Sequence, residues 1–480
     1  MKKSDFRKIN DSLWEIPQSF RSDMRVPARI YVSEKMLEEV FRDRSLGQLV
    51  NVATLPGIID YSLAMPDIHE GYGFPIGGVA AMNMKNGVIS PGGVGYDINC
   101  GMKLLKSDYQ EEEIKNHLES LATEIQKEVP SGLGQGRQIK LDAASINKIL
   151  EKGAQRIVEQ GYGEKEDLEN CESQGKLPQA EVTAVSDHAK NRGRDQVGTL
   201  GSGNHFLEIQ KVDEIFNEGV AKIFGLFKNQ IVIMIHTGSR GLGHQIATDY
   251  IKVMMTAMAK YGIRLPDREL AACPINSPEG KEYFAAMTCG ANYAWANRQM
   301  IAHSIRKAWK NVLGEKSSPL VSLYDVAHNI AKIEKHTINE KEVEMILHRK
   351  GATRAFPPGH SEIPEKYQAV GQPVLIPGSM GTASYVLVGT KEGKESWYST
   401  CHGAGRTMSR REAMRRVSGQ EVAKRLESKG TIVKCWSLRG IAEEAPMAYK
   451  DIDEVVGVVH NAGLSKKVVR LKPLAVIKGE

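Results

Sequence analysis

A mixed α/β fold of the α+β kind, one large domain over residues 1–480, is the architecture this sequence predicts, and three patterns carry the prediction. Short apolar runs of strand length, Ile231–Ile235, Leu320–Ala327 and Val374–Ile376, each lead into a polar loop, as buried strands do. Between 108 and 194 apolar residues recur instead at helical spacing. Glycines collect at 71–78, 92–101, 201–203 and 238–243, where backbone must turn sharply or approach a ligand. Central β-sheets, glycine-rich loops at a site and a helical insertion at 108–194 follow from these.

From Met1 to Met65 the text is mixed and ends in a moderately apolar stretch, after which loops and short segments dense in Gly, Asp and His begin. In the helical insertion Ile114, Leu118, Leu121 and Ile125 form one spaced set, and Ile146, Ile149, Leu150, Ala154, Ile157 and Val158 another. From Gly198 the glycine-rich style returns, with no internal repeat and no low-complexity tract. Hydrophobic residues at 41% and charged residues at 25% support a folded core and exclude a disordered chain. No apolar run approaches the ~20 residues that span a bilayer, and the polar Met1–Asn10 lacks a secretory signal, so a cytoplasmic protein without membrane contact is expected. The six cysteines form no Cys-x-x-Cys pair, which speaks against disulfides and structural zinc. A formal charge of +6 over this length is compatible with nucleic acid without arguing for it.

The densest passages are Met65-Pro-Asp-Ile-His-Glu-Gly-Tyr-Gly and Ser90-Pro-Gly-Gly-Val-Gly-Tyr-Asp-Ile-Asn-Cys-Gly. Asp97 and Cys100, three apart in a loop, can turn a carboxylate and a thiolate toward one ion. Alone, Cys100 reads equally as a small buried hydrophobe. His205, His236 and His328 shift the balance, because all three fall where a strand meets a loop, and together with Asp97 and Cys100 they make a metal centre. That donor set suits Mn²⁺, Zn²⁺, Fe²⁺ or Co²⁺ and does not choose among them.

Cys401-His-Gly-Ala-Gly-Arg406 precedes a basic run, Met408-Ser-Arg-Arg-Glu-Ala-Met-Arg-Arg416, with Lys424 and Arg425 beyond. Such a run usually is a solvated helix face. Beside His402, left open by its glycines, it reads as a surface for phosphates, whose oxygens Arg forks grip. The chain has neither a Gly-x-x-x-x-Gly-Lys-Ser/Thr phosphate loop nor the Lys-x-Asp-Gly motif of lysine-dependent ligases. Nucleotide chemistry here needs another nucleophile, and a neutral histidine such as His402 can attack phosphorus while a divalent cation offsets its charge.

These motifs resemble the RtcB family of RNA ligases over most of the chain. The resemblance rests on Pro66-Asp-Ile-His-Glu-Gly, the 90–101 passage, Leu200-Gly-Ser-Gly-Asn-His, His236-Thr-Gly-Ser-Arg-Gly, Tyr324-Asp-Val-Ala-His-Asn, His348-Arg-Lys-Gly-Ala-Thr-Arg, Pro377-Gly-Ser-Met-Gly-Thr, the 401–406 passage and the terminal Lys478-Gly479. It implies two Mn²⁺ ions per subunit bridged by Cys100, one also held by Asp97 and His205, the other by His236 and His328. It implies that GTP guanylylates His402, with Arg406 and Asp67 as further catalytic residues. The implied guanine pocket draws on Glu208, Ser384, Tyr449 and Lys478, while Asn204, Asn329 and Arg406 lie near phosphates. Pro377, Gly378, Ser379, Met380, Gly403, Ala404, Gly405 and His328 complete that nucleotide site. The implied reaction joins an RNA 3′-phosphate or 2′,3′-cyclic phosphate to a 5′-hydroxyl, in tRNA splicing or RNA repair, with archease as a candidate partner. His69, His244, His348 and His360 fall in matched motifs and are read as structural or RNA-facing. The chain runs one residue past Lys478-Gly479, to Glu480, whose carboxylate would weaken GTP binding if it paired with Lys478. A metal-dependent phosphodiesterase and a non-catalytic RNA-binding subunit are the competing readings.

Overall fold

The computed structural model describes residues 1–131 and 141–479; residues 132–140 of the helical insertion, and Glu480, lie outside the described residues. Two large sheets organise the chain. One takes its strands in the order Arg7–Lys8, Leu13–Ile16, Ala28–Tyr31, Ser62–His69, Ile76–Asn83, Lys341–Lys350 and Asn329–Ile338. The other runs Val321–Ala327, Gly101–Gln110, Gln230–Thr237, Phe206–Ile215, Ser465–Lys478, Ser384–Gly389 and Pro373–Ile376, with Ile432–Cys435 parallel to Ser465–Lys478.

The apolar run at Ile231–Ile235 lies inside Gln230–Thr237, a strand buried at every residue. Its side chains alternate between two faces. Ile231, Ile233 and Ile235 join a cluster with Ile301, Ile305 and Trp309, while Val232 and Met234 join another with Leu104, Phe206 and Val386. Both faces are covered, which is why the sequence shows a run instead of an alternation. Leu320–Ala327 and Val374–Ile376 likewise fall on Val321–Ala327 and Pro373–Ile376.

The helix Pro278–Leu313 supplies one of those covers. Ser277 caps it by accepting from the Gly280 N–H, Pro278 occupies its first position, and it stops at Gly314. Trp295 and Trp309 are both buried on it, and truncating either to Ala costs about 3–5 kcal/mol. In the insertion the strand Gly101–Gln110 runs on through Asp108, so helix begins only at Glu111. Helices follow at Leu118–Glu128, Ala143–Lys152 and Ala154–Glu159, the last two separated where Gly153 takes φ +57°. They turn Leu121, Ile125, Ile146, Ile149, Leu150 and Ile157 inward, while Val158 stays half-buried.

The loops and short segments read after Met65 begin inside a strand. Ser62–His69 is a strand, and its register with Ile76–Asn83 breaks between Ala64 and His69. The break hides the strand from a pattern reading, since Pro66 and Asp67 look like turn residues. All six cysteines are free thiols, and among the described residues no helix is long and apolar enough to cross a membrane.

Candidate metal centre and nucleotide site

Four neighbouring strands bring the candidate ligands to one rim. Cys100 directly precedes Gly101–Gln110, and the antiparallel register sets Met102 opposite His236 and Gly101 opposite Ala327. His205 precedes Phe206, which in turn pairs with His236, and His328 follows Ala327. His236 therefore sits within its strand, one residue before the end, and not in the loop beyond it. Asp97 reaches the same rim from the 90–100 loop, where a Cβ on Gly238 would come within 2.4 Å of its Oδ1.

Two triads result, Asp97–Cys100–His205 and Cys100–His236–His328, each with ligand atoms within 4.8 Å of one another, and Cys100 belongs to both. Cys100 Sγ lies 3.5 Å from His205 Nε2 and 3.3 Å from His236 Nε2, and His236 Nε2 lies 3.4 Å from His328 Nε2. A first-row cation bound at about 2.0–2.3 Å in tetrahedral geometry holds its donors roughly 3.3–3.8 Å apart, so these spacings fit. His205 Nε2 and Asp97 Oδ2, at 2.7 Å, are hydrogen-bonded and must part somewhat to share an ion. Burial holds His236 and His328 well below the usual imidazole pKa, so both are neutral bases with a lone pair to give. Burial and the Asp97 charge push the Cys100 thiol up, and only a cation makes a thiolate stable there.

Arg298, fully buried on the long helix, clamps this rim. Its Nη1 donates to the carbonyls of Asn99 and Thr237, the residues adjoining Cys100 and His236, at 2.8 and 2.9 Å. Nη2 reaches Asn99 Oδ1 at 3.0 Å, and Nε is held by Asp325 at 2.9 Å. No sequence pattern singles out Arg298, and Asp325 stands in the Tyr324–Asn329 motif without a role assigned to it.

His402 follows the strand Ser399–Cys401 and is 8% exposed, more enclosed than its flanking glycines suggest. Its ring centroid is 5.0 Å from that of His328, so it adjoins the second triad. Asp67 Oδ2 takes three N–H groups: the His402 ring Nδ1 at 2.5 Å, the His402 backbone at 2.8 Å and the Gly403 backbone at 3.3 Å. Burial opposes ionisation of Asp67, but His402 holds it below the usual carboxylate range. A carboxylate only accepts, so Nδ1 carries a proton, and in the neutral ring Nε2 is then the nitrogen with the lone pair.

A groove of about 1250 Å³ joins these parts. Asp97, Cys100, His205, His236, His328 and His402 line it, as do Asn204, Asn329, Pro377, Gly378, Gly403, Ala404, Gly405, Arg406 and Tyr449. Asp67, Glu208, Ser379, Met380, Ser384 and Lys478 are not among its lining residues. Glu208 accepts from Gln210, whose amide also reaches Ser384 Oγ, and Ser384 Oγ accepts from the Gly378 N–H. Burial pushes Glu208 up to about 8 against the opposing pull of Gln210 and Lys478. Burial likewise pulls Lys478 down to about 8, and its Nζ donates to the Gly203 carbonyl at 2.6 Å. Met380 packs with Val422, Leu426 and Ile441, and Ser379 bonds with Thr382.

Two implied phosphate contacts are engaged elsewhere in this arrangement. Asn329 spends its amide on the Asp97 carbonyl and the Gly351 N–H. Arg406 donates to Glu444 at 2.8 Å and stacks its guanidinium 5.0 Å from the Tyr449 ring centre, while the Tyr449 hydroxyl also bonds Glu444. Glu444, 2% exposed and paired with Arg410 as well, is a hub that the sequence did not reveal. Arg406 and, from the basic run, Arg410 and Arg411 line the groove, whereas Arg416 and, beyond the run, Arg425 pair along their own helices with Glu412 and Glu421.

Residues 48–479 match the family model described as tRNA-splicing ligase RtcB. The chain is 51% identical over 476 residues to tRNA-splicing ligase RtcB of Thermococcus kodakarensis, covering 98% of each protein. It is 52% identical over 476 residues to that of Archaeoglobus fulgidus, again covering 98% of each. It is 50% identical over 435 residues to RNA-splicing ligase RtcB of Mycobacterium tuberculosis, covering 90% of this chain and 100% of the relative. With nearly its whole length matched at about half identity, the chain belongs to the RtcB family.

Proposed function

We propose that the protein is an RNA ligase that uses GTP and two Mn²⁺ ions per subunit to join an RNA 3′-phosphate or 2′,3′-cyclic phosphate to a 5′-hydroxyl. The observation that carries this reading is the bond from His402 Nδ1 to Asp67, which leaves Nε2 nucleophilic on the groove beside two triads sharing Cys100. Family membership and the names of the relatives support RNA as the substrate.

In this scheme Nε2 of His402 attacks the α-phosphorus of GTP, an N–P bond forms, and pyrophosphate leaves. The imidazole needs no base, because Asp67 keeps the Nδ1 proton and shares the positive charge that develops. A 3′-phosphate oxygen of RNA, freed by water where the end is cyclic, then takes the GMP and the P–N bond breaks. The 5′-hydroxyl finally attacks the activated phosphate and GMP departs. Activation is required because a phosphate monoester would otherwise have to expel oxide. The divalent cations supply charge neutralisation and Lewis acidity at phosphate oxygens. Asp97, Cys100, His205, His236 and His328 would hold them; Glu208, Ser384, Tyr449 and Lys478 would receive guanine; Asn204 would meet phosphates, as would Arg406 and Asn329 once they turn from Glu444 and from Asp97 and Gly351.

The physiological setting we infer is cytoplasmic tRNA splicing or RNA repair, with tRNA halves or other cleaved RNA as substrate and archease as a candidate activator. The test uses an RNA with ³²P in its 2′,3′-cyclic phosphate and a second RNA with a 5′-hydroxyl. Ligation buries the label in a phosphatase-resistant junction only when GTP and Mn²⁺ are present. Opening of the cyclic phosphate without a junction would make the protein a phosphodiesterase, and salt-sensitive binding without turnover a binding subunit.

A further inference from the structure

The strand carrying Asp67 is held by a residue outside the proposed machinery. Where Ser62–His69 loses register with its neighbour, Lys450 inserts its Nζ and donates to the carbonyls on either side of Asp67, Pro66 at 2.9 Å and Ile68 at 2.6 Å. The Lys450 backbone N–H meanwhile donates to Gly405, and Arg406 pairs with Tyr449 in an antiparallel bridge. One residue, through its side chain and its backbone N–H, thus ties the Asp67 strand to the 402–406 loop and to the segment bearing Tyr449. The Asp67 carbonyl meets the His69 ring Nδ1 at 2.9 Å, while its carboxylate has no other anchor: Oδ2 takes all three N–H groups and Oδ1 has no hydrogen-bond partner. The fit on the other side is close, since a Cβ on Gly405, at φ +72°, would come within 2.3 Å of the Asp67 carbonyl.

We propose that Lys450 is a positioning residue, which fixes the Asp67 backbone so that the carboxylate keeps His402 protonated at Nδ1 and bare at Nε2. The inference rests on the proposed role of His402. Without the Lys450 ammonium the two carbonyls lose their donors and the 66–68 bulge relaxes. Asp67 then swings off the imidazole, and the Nε2–H tautomer, which cannot attack phosphorus, becomes populated.

The test compares Lys450→Met, Lys450→Arg, Asp67→Asn and the Lys450→Met/Asp67→Asn pair. In the holoprotein, Lys450→Met should slow GMP attachment to His402 roughly 10–100-fold at saturating GTP. The half-saturating GTP concentration and the Mn²⁺ content should stay put, and Lys450→Arg, which keeps charge and donors, should regain most of the rate. In the Asp67→Asn background Lys450→Met should add no more than about twofold, because both changes act through one contact. In metal-free protein labelled with ¹⁵N-histidine, the His402 signal, identified by its loss in His402→Asn, should show a protonated Nδ1 in the wild type and mixed tautomers in Lys450→Met. Wild-type rate in Lys450→Met, fully multiplicative losses, or an unchanged His402 tautomer would each overturn the positioning role. If the wild type itself takes up no GMP, the ligase reading falls and takes this one with it.

Discussion

Replacing Glu208 by Gln probes the wall behind the groove through a charge the fold holds back. Burial raises this carboxyl from 4.5 to about 8, so at neutral pH the folded chain keeps a proton that the unfolded chain releases. A group whose folded pKa is raised contributes stability that is fully present below its unfolded value and lost as pH rises through the folded one. The window is therefore pH 4.5 to about 8. At about 1.36 kcal/mol per unit, the shift amounts to on the order of 5 kcal/mol across that window. Gln cannot ionise, so the stability of Glu208→Gln minus that of the wild type should be smallest near pH 5 and rise toward pH 8. Lys478, pulled down to about 8, acts with the opposite sign and at higher pH, gaining stability between about 8 and 10.5. Urea denaturation of both metal-free proteins at half-unit steps from pH 4.5 to 8.5 measures the difference directly. A difference that stays constant across the window would refute the claim that Glu208 is held protonated. Guanine donates N–H groups, so GTP binding should favour the ionised carboxylate and release protons at pH 7, but not in Glu208→Gln.

Three further outcomes follow from the geometry. Cys100→Ala removes the atom common to both triads and should reduce bound Mn²⁺, measured by elemental analysis after dialysis, from two per chain to none, abolishing guanylylation; two retained ions would end its role as the shared ligand. Arg298→Met leaves Asp325 buried without its guanidinium and should destabilise the fold by about 3–5 kcal/mol in urea, with Mn²⁺ affinity falling as the Asn99 and Thr237 carbonyls come free. Arg410→Ala should weaken RNA binding and lower the slope of log affinity against log salt by about 1, and an unchanged slope would assign Arg410 to Glu444 alone.

How much of this was legible in the sequence depended on whether a residue's surroundings leave a local trace. Apolar runs showed the strands under His236 and His328, because a strand covered on both faces has no polar alternation. Motifs named the candidate ligands, yet only the antiparallel register shows why residues as distant as Cys100 and His328 meet. The helix Pro278–Leu313 escaped notice because Ala286, Cys289, Ala291, Tyr293, Trp295 and Ala296 are buried all round it, leaving no amphipathic stripe to count. Arg298, Glu444 and Lys450 were missed for a related reason: each is one charge in an ordinary stretch, and its importance lies in distant partners. Asp67 was named by motif, but the strand that carries it went unread, since the break that frees it for His402 looks like a turn.

The central claim is that His402 Nε2 becomes covalently bonded to GMP. Intact-protein mass spectrometry after incubating metal-stripped protein with GTP, with and without Mn²⁺ and alongside His402→Ala, tests it most directly. A mass gain of one GMP should require both Mn²⁺ and His402, while His402→Ala keeps its metal. A GMP adduct that persists in His402→Ala, or none on the wild type even with archease added, would contradict it.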